Sequence, residues 1–295
     1  YIKRIPANTY ARQGRGGKGK MGMTTKEEDV VEHLVHANSH NTILFFTSAG
    51  RVFKLKAYEL PPASRVAKGA SIMNVLNLSP DEKVTALVGL TKDDPTQYLF
   101  MATRGGTIKK TALKDFANIR TNGIVAIKLD QGDELRWVKK TTGKDEVIIS
   151  TAMAQAIRFK ETDVRPMGRA TRGVRGIRLR SEDSVVGVDV IGSTEAVMLV
   201  VMKNGYGKRT SSSQFTTHNR GGVGIRAGVV TKKTGKALDV RITNNDNADV
   251  LLISKQGQVI RLHLKAIPKI GRSTQGVRIM RLSENDEIAS VAVLE

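Results

Sequence analysis

A short basic loop near the start of the sequence has the residue types and spacing to bind phosphate. Residues 13 to 19 read Gln-Gly-Arg-Gly-Gly-Lys-Gly, and no acidic residue occurs between Tyr1 and Lys26. Glycines let the backbone approach a surface closely, and successive N–H groups in such a loop form a concave anion site. Arg15 can bind a phosphate bidentately, and Lys18 adds a point charge. We therefore expect a clamp on a nucleic-acid backbone, with a flexible basic linker or a disordered Arg-Gly-Gly tract as the alternative. The candidate contacts are Gln13, Arg15, Gly16, Gly17, Lys18 and Gly19.

The composition points to the same kind of partner. The 295 residues include 48 Lys plus Arg against 28 Asp plus Glu, a formal net charge of +20. A folded chain this basic is expected to bind a polyanion. Aromatic residues are only 4% of the sequence, too few to line a base-stacking channel, so contact with duplex phosphates fits better than single-strand binding.

The sequence shows no recognisable catalytic or metal site. No Ser or Thr directly follows Lys18, so the basic loop is not a P-loop. His33, His36 and His40 suit neither one helix face nor a tight strand pair, and the chain has no cysteine. No apolar run reaches the roughly 18 residues that cross a bilayer, and no signal peptide is visible. These features predict no catalytic residues, no metal and no membrane partner, and they fit a cytoplasmic protein.

One hairpin pattern recurs through the sequence. An apolar run, a three-residue turn and a return strand are typical of a β-hairpin. The turns end at Gly50, Gly106, Ala154, Gly205 and Gly257, a period of about fifty residues that is typical of propeller-like blades. Because alanine resists positive φ, we expect the turn at Ala154 to differ from the others. Residues 1 to 4 match a return strand, so a sixth copy would begin before Tyr1.

The second half of each unit is a glycine-marked loop followed by a strand. It appears before residues 71, 124, 177, 225 and 277, and the basic loop at 13 to 19 occupies the same position in the first unit. An acidic turn and a further apolar strand usually close the unit. The pattern predicts an all-β, closed, propeller-like array of six units in a single domain, residues 1–295, since closure removes exposed sheet edges. The approximate units are 1–40, 41–95, 96–143, 144–193, 194–246 and 247–295.

Basic residues recur at one position of the repeat. Four residues after each hairpin turn lies a Lys or Arg, and no copy has Glu there. Repeated units place equivalent residues at equivalent radii, so these residues should form a charged belt. The belt residues are Arg4, Lys54, Lys110, Arg158, Arg209 and Arg261. A second basic cluster lies in the loop of the fourth unit, the third copy counted from the first complete hairpin; its candidate DNA contacts are Arg169, Arg172, Arg175 and Arg178.

With these units and this loop, the whole chain resembles the C-terminal domain of the A subunit of DNA gyrase, a type IIA topoisomerase. Residues Gln13 and Arg15 to Gly19 match that family's signature box, whereas Gly14 stands where a basic residue is usual. The resemblance implies a six-bladed β-pinwheel whose neighbouring blades exchange strands. The related domain of the A subunit of topoisomerase IV has similar blades but a degraded box, so the nearly intact box favours gyrase.

The resemblance also implies a function. Duplex DNA would wrap around the rim, which would let the parent ATP-hydrolysing enzyme supercoil DNA negatively. The domain itself would carry no catalytic residue and no cofactor, with ATP and Mg²⁺ bound elsewhere. Its partners would be double-stranded DNA, the N-terminal part of the same polypeptide and the B subunit of gyrase in an A2B2 enzyme of the bacterial cytoplasm, associated with the nucleoid.

Bending energy favours contacts spread over several units. Half a turn of DNA around a body of this size costs on the order of 10–15 kcal/mol by the elastic estimate, more than one loop offsets. Two other functions remain as alternatives. A propeller that recruits an acidic protein would not change DNA linking number, and a nucleic-acid-condensing module would bind RNA and DNA duplexes equally.

Overall fold

The computed structural model of the protein describes residues 1–6, 33, 35, 37–64, 67–92 and 94–294. In this part of the chain, nineteen β-strands alternate with six short 3₁₀ helices. The strands are β1 Thr42–Thr47, β2 Arg51–Lys56, β3 Val84–Leu90, β4 Tyr98–Thr103, β5 Thr107–Ala112, β6 Ile124–Val125, β7 Leu135–Thr141, β8 Glu146–Thr151, β9 Gln155–Lys160, β10 Val174–Arg175, β11 Val185–Ile191, β12 Val197–Met202, β13 Tyr206–Ser211, β14 Ile225–Arg226, β15 Ala237–Thr243, β16 Asp249–Ser254, β17 Val259–His263, β18 Val277–Arg278 and β19 Ile288–Leu294. The 3₁₀ helices are Ala57–Glu59, Ile72–Asn74, Leu113–Phe116, Glu161–Asp163, Ser212–Gln214 and Leu264–Ala266.

The strands form five antiparallel sheets. Four have four strands, in the orders β3-β1-β2-β6, β7-β4-β5-β10, β11-β8-β9-β14 and β15-β12-β13-β18, and the fifth, β19-β16-β17, has three. The all-β propeller class is therefore confirmed. The described residues give five blades where six units were predicted, because residues 1–6 contribute only isolated bridges, Ile2 with Ala70 and Arg4 with Pro62.

Each four-stranded sheet takes its outermost strand from the next unit. The short strand β6, which follows the hairpin of the third unit, pairs with β2 of the second, and β10, β14 and β18 pair in the same way with β5, β9 and β13. At the opposite side of the sheets, the last strands of successive units contact one another, β3 with β7, β7 with β11, β11 with β15 and β15 with β19. Neighbouring blades are therefore joined at both edges.

The apolar core lies between blades rather than inside them. Leu44 and Phe46 of the second unit pack in one cluster with Leu99 and Met101 of the third. Equivalent clusters join each later pair of units. Successive residues of a strand face opposite sides of the blade, and in β1, β4, β8 and β12 both sides are buried. This explains why these strands are nearly continuous apolar runs.

The hairpin turns share one backbone conformation, and the prediction of a different turn at Ala154 is wrong. Gly50, Gly106, Gly205 and Gly257 have φ between 75° and 84°, and Ala154 has φ 54°. The carbonyl of Ala154 accepts a hydrogen bond from the N–H of Ala227 at 2.8 Å, as the carbonyls of Gly50, Gly106 and Gly205 accept one from the loop strand of the next unit. This bond between units imposes the left-handed conformation despite its cost for alanine.

The next unit also makes room for the methyl group of Ala154. A Cβ added to Gly50 would lie 2.5 Å from the carbonyl oxygen of Ile127, and one added to Gly205 would lie 2.3 Å from that of Met280. Opposite Ala154, the matching position is Gly228, where an added Cβ would lie 3.3 Å from the Ala154 methyl. In the other units the glycine of this pair lies in the turn, whereas here it lies at the facing position of the next unit. The pair therefore keeps the packing of the other units.

Acidic turns fasten the hairpins in three units. The carboxylates of Asp133, Asp183 and Asp286 accept hydrogen bonds from turn N–H groups, those of Gly105, Met153 and Gln256, at 2.8 to 3.1 Å. These carboxylates are occupied by the protein's own backbone.

No helix among the described residues is long and apolar enough to span a bilayer.

Candidate nucleic-acid interface

The belt residues occupy matching positions, as predicted. Lys54, Lys110, Arg158, Arg209 and Arg261 each pair with the third residue of the outgoing strand in their own hairpin. Arg4 forms the same kind of bridge to the next unit as Lys110, Arg158 and Arg209 do. The basic loop at residues 13 to 19 lies outside the described residues.

The belt side chains turn toward the next unit instead of outward. Each of the first five donates a hydrogen bond to a backbone carbonyl in or just after the 3₁₀ helix of the following unit; we call each such contact a joint. The acceptors are Leu60 for Arg4, Ala117 for Lys54, Glu161 for Lys110, Ser212 and Phe215 for Arg158, and Ile267 for Arg209, at 2.6 to 3.4 Å. Carbonyl groups just past the end of so short a helix lack partners within it, so a long donor from the preceding unit can bind them. The carbonyls of Glu161 and Ser212 accept the donor in addition to a bond from their own helix end.

An evenly exposed belt is therefore not formed. Lys110 is 4% exposed and lies 3.7 Å from a carboxylate oxygen of Glu161, while Arg209 is 6% exposed and pairs with Asp246 at 2.7 Å. These two cations have no open surface from which to meet DNA, which corrects the prediction for them. Lys54 and Arg261 are exposed, and Arg261 pairs with Asp249 of its own unit.

Three of the four predicted loop arginines have exposed side chains. Arg172, Arg175 and Arg178 are exposed around the short strand β10, and Arg172 makes a 3.0 Å ion pair with Asp130 in which both side chains stay more than half exposed. Arg169 is half-buried, and its guanidinium donates to the carbonyl of Val125 in the preceding unit at 3.4 Å. Surface ion pairs such as that of Arg172 with Asp130 are weak and leave the guanidinium able to bind phosphate.

The same positions carry exposed basic residues in other units, and sequence reasoning missed those residues. Arg226 and Arg278 are exposed and stand two residues after a loop glycine, as Arg175 does. Lys128 and Arg281 are exposed and stand five residues after the loop glycine, as Arg178 does. The constant spacing of two or five residues from the loop glycine could have identified these residues from the sequence. We call these six residues the loop row: Lys128, Arg175, Arg178, Arg226, Arg278 and Arg281.

A further arginine ties the loops of neighbouring units together. Arg220 donates to the carbonyl of Arg175 at 3.0 Å, and Arg272 donates to that of Arg226 at 3.0 Å. Arg169 occupies the same position, four residues before the loop glycine. These bonds join the loops that carry the exposed basic residues of successive units at the outer sheet edges.

Family and structure comparisons agree with this geometry. The family model described as "DNA gyrase C-terminal domain, beta-propeller" matches residues 1–38, 41–88, 97–142, 145–191, 203–244 and 248–295. The chain belongs to this family. The resemblance inferred from the sequence is thus confirmed.

Relatives in the gyrase family cover almost all of the chain. It is 42% identical over 294 residues to the A subunit of DNA gyrase from Staphylococcus epidermidis (strain ATCC 12228 / FDA PCI 1200) and 40% identical to that from Staphylococcus aureus (strain NCTC 8325 / PS 47). Both alignments cover 99% of this chain and 33% of the relative, so the chain spans about a third of their length.

Solved structures show the same fold. A DNA gyrase A C-terminal domain superposes with a TM-score of 0.79 at 26% identity, covering 100% of this chain and 96% of that one. The C-terminal domain of a DNA topoisomerase IV gives a TM-score of 0.85 at 22% identity, covering 100% and 90%. At that identity the second likeness shows the fold alone.

Proposed function

We propose that this chain binds and wraps duplex DNA with little sequence preference, as the non-catalytic wrapping domain of a gyrase-type topoisomerase. The observation that carries the proposal is the loop row, in which exposed arginines or lysines repeat at matching positions of successive blades. The membership of the gyrase C-terminal family supports it.

A repeated cationic surface suits bending better than a single site does. Bending DNA tightly costs several kcal/mol, and that cost has to be offset by phosphate contacts spread along the curve. Guanidinium groups bind phosphate bidentately, and contacts of this kind carry no base preference. Lys54 and Arg261 of the belt, together with Arg172, add exposed charge to the same function.

The remaining features of the proposal follow the family. The chain would form a single domain with a sixth blade built by the first unit, in which the box residues Gln13, Arg15, Gly16, Gly17, Lys18 and Gly19 anchor the DNA. It would act with the N-terminal part of the gyrase A polypeptide and with the B subunit in an A2B2 enzyme of the bacterial cytoplasm and nucleoid. ATP and Mg²⁺ would be bound outside this domain.

A ligation assay tests wrapping directly. The 295-residue chain is bound to nicked circular DNA, the nick is sealed, and the linking number of the purified circles is measured. Wrapping shifts the linking-number distribution in proportion to bound protein. An unchanged distribution would favour the protein-recruiting alternative, and equal affinity for RNA and DNA duplexes would favour the condensing alternative.

Charge variants test the loop row. Replacing Arg175, Arg226 and Arg278 together by Gln should abolish the shift and lower the salt slope of binding by about 2–3, since each phosphate contact contributes about 0.9. The matched control replaces three other exposed lysines, Lys83, Lys144 and Lys160, by Gln and should keep the shift. If the two triple variants behave alike, net charge and not the loop row governs binding.

The box is tested in the assembled enzyme. Arg15→Gln with Lys18→Gln should abolish supercoiling while relaxation continues, because the anchor is needed only for the wrapped path. Supercoiling at the parent rate would remove the box from the proposal.

A further inference from the structure

Two lysines are buried where the belt meets the loops. Lys109 is 0% exposed and Lys208 is 1% exposed, and each immediately precedes a belt residue. A buried ammonium is costly unless its protons are hydrogen-bonded. Within the described residues neither lysine forms an ion pair with a carboxylate, so other acceptors have to stabilise the charge.

The ammonium of Lys109 is bound by backbone carbonyls of the loop that carries the arginine cluster. Its Nζ donates to the carbonyl oxygens of Ala126 at 2.5 Å, Gly168 at 3.1 Å and Thr171 at 3.3 Å, and also to that of Arg169. Three of these four acceptors belong to the loop at residues 168–171 in the following unit. One side chain therefore fixes the path of that whole loop.

The same arrangement recurs two units later. Lys208 Nζ donates to the carbonyl oxygens of Gly271 at 3.0 Å, Arg272 at 2.6 Å and Thr274 at 3.0 Å, and to the hydroxyl of Thr274 at 3.3 Å. Lys3, at the matching position of the first unit, donates to the carbonyl of Ala67 at 2.7 Å. A lysine that donates to loop carbonyls thus occurs in alternate units of the array, the first, third and fifth.

The units between them have apolar residues at this position. Phe53 packs against Gly123, and Ile157 lies beneath the loop at residues 218–222. In that loop the N–H of Gly221 donates to the carbonyl of Gly176 at 2.6 Å. Its equivalents in the lysine-bound loops, the N–H groups of Ala170 and Ser273, have no hydrogen-bond partner within the described residues.

Peptide geometry explains this difference between the loops. The C=O of one residue and the N–H of the next lie in the same peptide plane and point in opposite directions. The carbonyls of Arg169 and Arg272 point inward to an ammonium. The N–H groups of Ala170 and Ser273 therefore point outward. Ala170 and Ser273 are both exposed, and exposed N–H groups beside arginine side chains form an anion site.

We propose that Lys109 and Lys208 are positioning residues that build two phosphate-binding loops, in which the N–H groups of Ala170 and Ser273 bind backbone phosphates of duplex DNA. This inference rests on the proposed function. Burial lowers the pKa of each lysine to about 8, with repulsion from Arg169 or Arg272 as the next cause, so each side chain remains mostly protonated at neutral pH. The DNA would then meet stronger anion sites at the lysine-bound loops than at the loop between them.

A test without substitutions uses amide NMR of the labelled 295-residue chain and a short duplex. A solved structure described as a DNA gyrase A C-terminal domain covers nearly the same extent as this chain. The amide signals of Ala170 and Ser273 should shift on binding, while that of Gly221 should stay in place because its N–H is already bonded. Equal shifts at all three, or none at Ala170 and Ser273, would overturn the proposal.

Substitutions test the role of the ammonium. Lys109→Met and Lys208→Met keep a linear side chain, and Ile157→Met is the matched control at the apolar position of the unit between them. We expect hydrogen exchange in the loops at 168–173 and 271–276 to rise about tenfold, while exchange in β4 and β8 is unchanged. Duplex affinity should fall about tenfold and the salt slope by about one per loop, with no change for the control.

The outcomes separate this inference from the proposed function. Loops that loosen without any loss of DNA affinity would show that the lysines only pack the fold, and unchanged exchange would show that they do not order the loops. If the unsubstituted chain bound no duplex, the proposed function would fail, and the exchange data would still decide whether the ammonium orders the loops.

Discussion

Two joints of the array use the same belt position in opposite ways. Between the second and third units, Lys54 is exposed and donates to the carbonyl of Ala117 at 2.6 Å. Between the third and fourth units, Lys110 is buried, and the fully buried carboxylate of Glu161 lies beside it. The 3₁₀ helix that faces Lys54 begins with Leu113, where the one that faces Lys110 begins with Glu161. At these two joints, the buried cation thus has a buried carboxylate beside it, whereas the exposed cation faces a helix that begins with an apolar residue.

We call the joint at the exposed Lys54 the open joint and the joint at the buried Lys110 the closed joint. The open joint also borders a cavity of about 900 Å³. Its lining includes Lys54, Lys56, Lys92 and Lys114, together with Asp94. Burial alone would raise the pKa of Asp94, but hydrogen bonds from Lys140 and Thr96 outweigh it and lower the pKa to about 2. Among the described residues that line the cavity, this is the only acid, and its own partners hold it, which leaves the cavity cationic.

The largest predicted effect is the loss of the buried cation. Lys110→Met leaves the Glu161 carboxylate buried without its counter-charge and should lower the free energy of unfolding by about 3–5 kcal/mol. Lys54→Met, at the same position of the open joint, should cost less than about 1 kcal/mol. Urea unfolding of both variants measures the difference, and equal losses would show that the two joints are energetically alike.

Removing both charges should restore part of that loss. The double variant Lys110→Met, Glu161→Leu gives the closed joint the apolar residue of the open one, and replacement of a buried pair by apolar groups is often nearly neutral. The N–H groups of Gly143 and Asp145 donate to Glu161 at 2.7 and 2.8 Å and would lose their acceptor, so we expect a deficit of about 1–3 kcal/mol. A double variant no more stable than Lys110→Met alone would contradict the coupling.

Acid should weaken another contact between the second and third units, the one that Arg51 makes with the support of Glu82. Arg51 donates to the carbonyl of Asn122 in the third unit at 3.1 Å and is held by Glu82. Burial alone would raise the pKa of Glu82, but hydrogen bonds from Arg51, Thr47 and the N–H of Ser79 lower it to about 2. Because the folded pKa lies below the unfolded one, this stabilisation is complete above about pH 4.5 and is lost as the pH falls toward 2.

The substitution Glu82→Gln should therefore flatten the dependence of unfolding free energy on pH between about 4.5 and 2. Thr47→Val removes one donor to the carboxylate and should move the acid transition to higher pH. Unfolding curves taken at a series of pH values check both, and an identical acid dependence in the parent and in Glu82→Gln would refute the role of this carboxylate.

The smallest predicted effect concerns DNA. If the chain binds duplex phosphates, Lys54→Met should lower the salt slope of binding by up to about 0.9, the contribution of one contact, whereas Lys110→Met should leave the slope unchanged. Binding titrations at several salt concentrations measure both slopes. A loss of slope in the Lys110 variant, with its fold intact, would mean that the closed joint opens on DNA.

Local features of the fold were predictable from the sequence. The hairpins, their glycine turns and the matching positions of the basic residues follow from short apolar runs and turn residues. The exposed Arg226 and Arg278 were equally readable, because their distance from the loop glycine repeats that of Arg175. What could be predicted in this way depends only on residues within one unit.

The features that sequence reasoning missed depend on the neighbouring unit. Nothing close to Lys110 in the sequence indicates burial, since its partner Glu161 lies 51 residues further on. The left-handed turn at Ala154 depends on Gly228, and the burial of Lys109 depends on the carbonyls of a loop sixty residues away. Such pairings appear only when two units are brought together.

The sharing of strands between units has a consequence for cleavage of the backbone. A protease cut in the connection at residues 91–97 would fall between the second and third units, yet β6 of the third unit would remain paired with β2 of the second. Once pulled apart, the first fragment would expose a sheet that lacks its outer strand, and the second would carry that strand without a partner. The nicked molecule should therefore hold together until it is denatured, and its two pieces should complement each other when mixed.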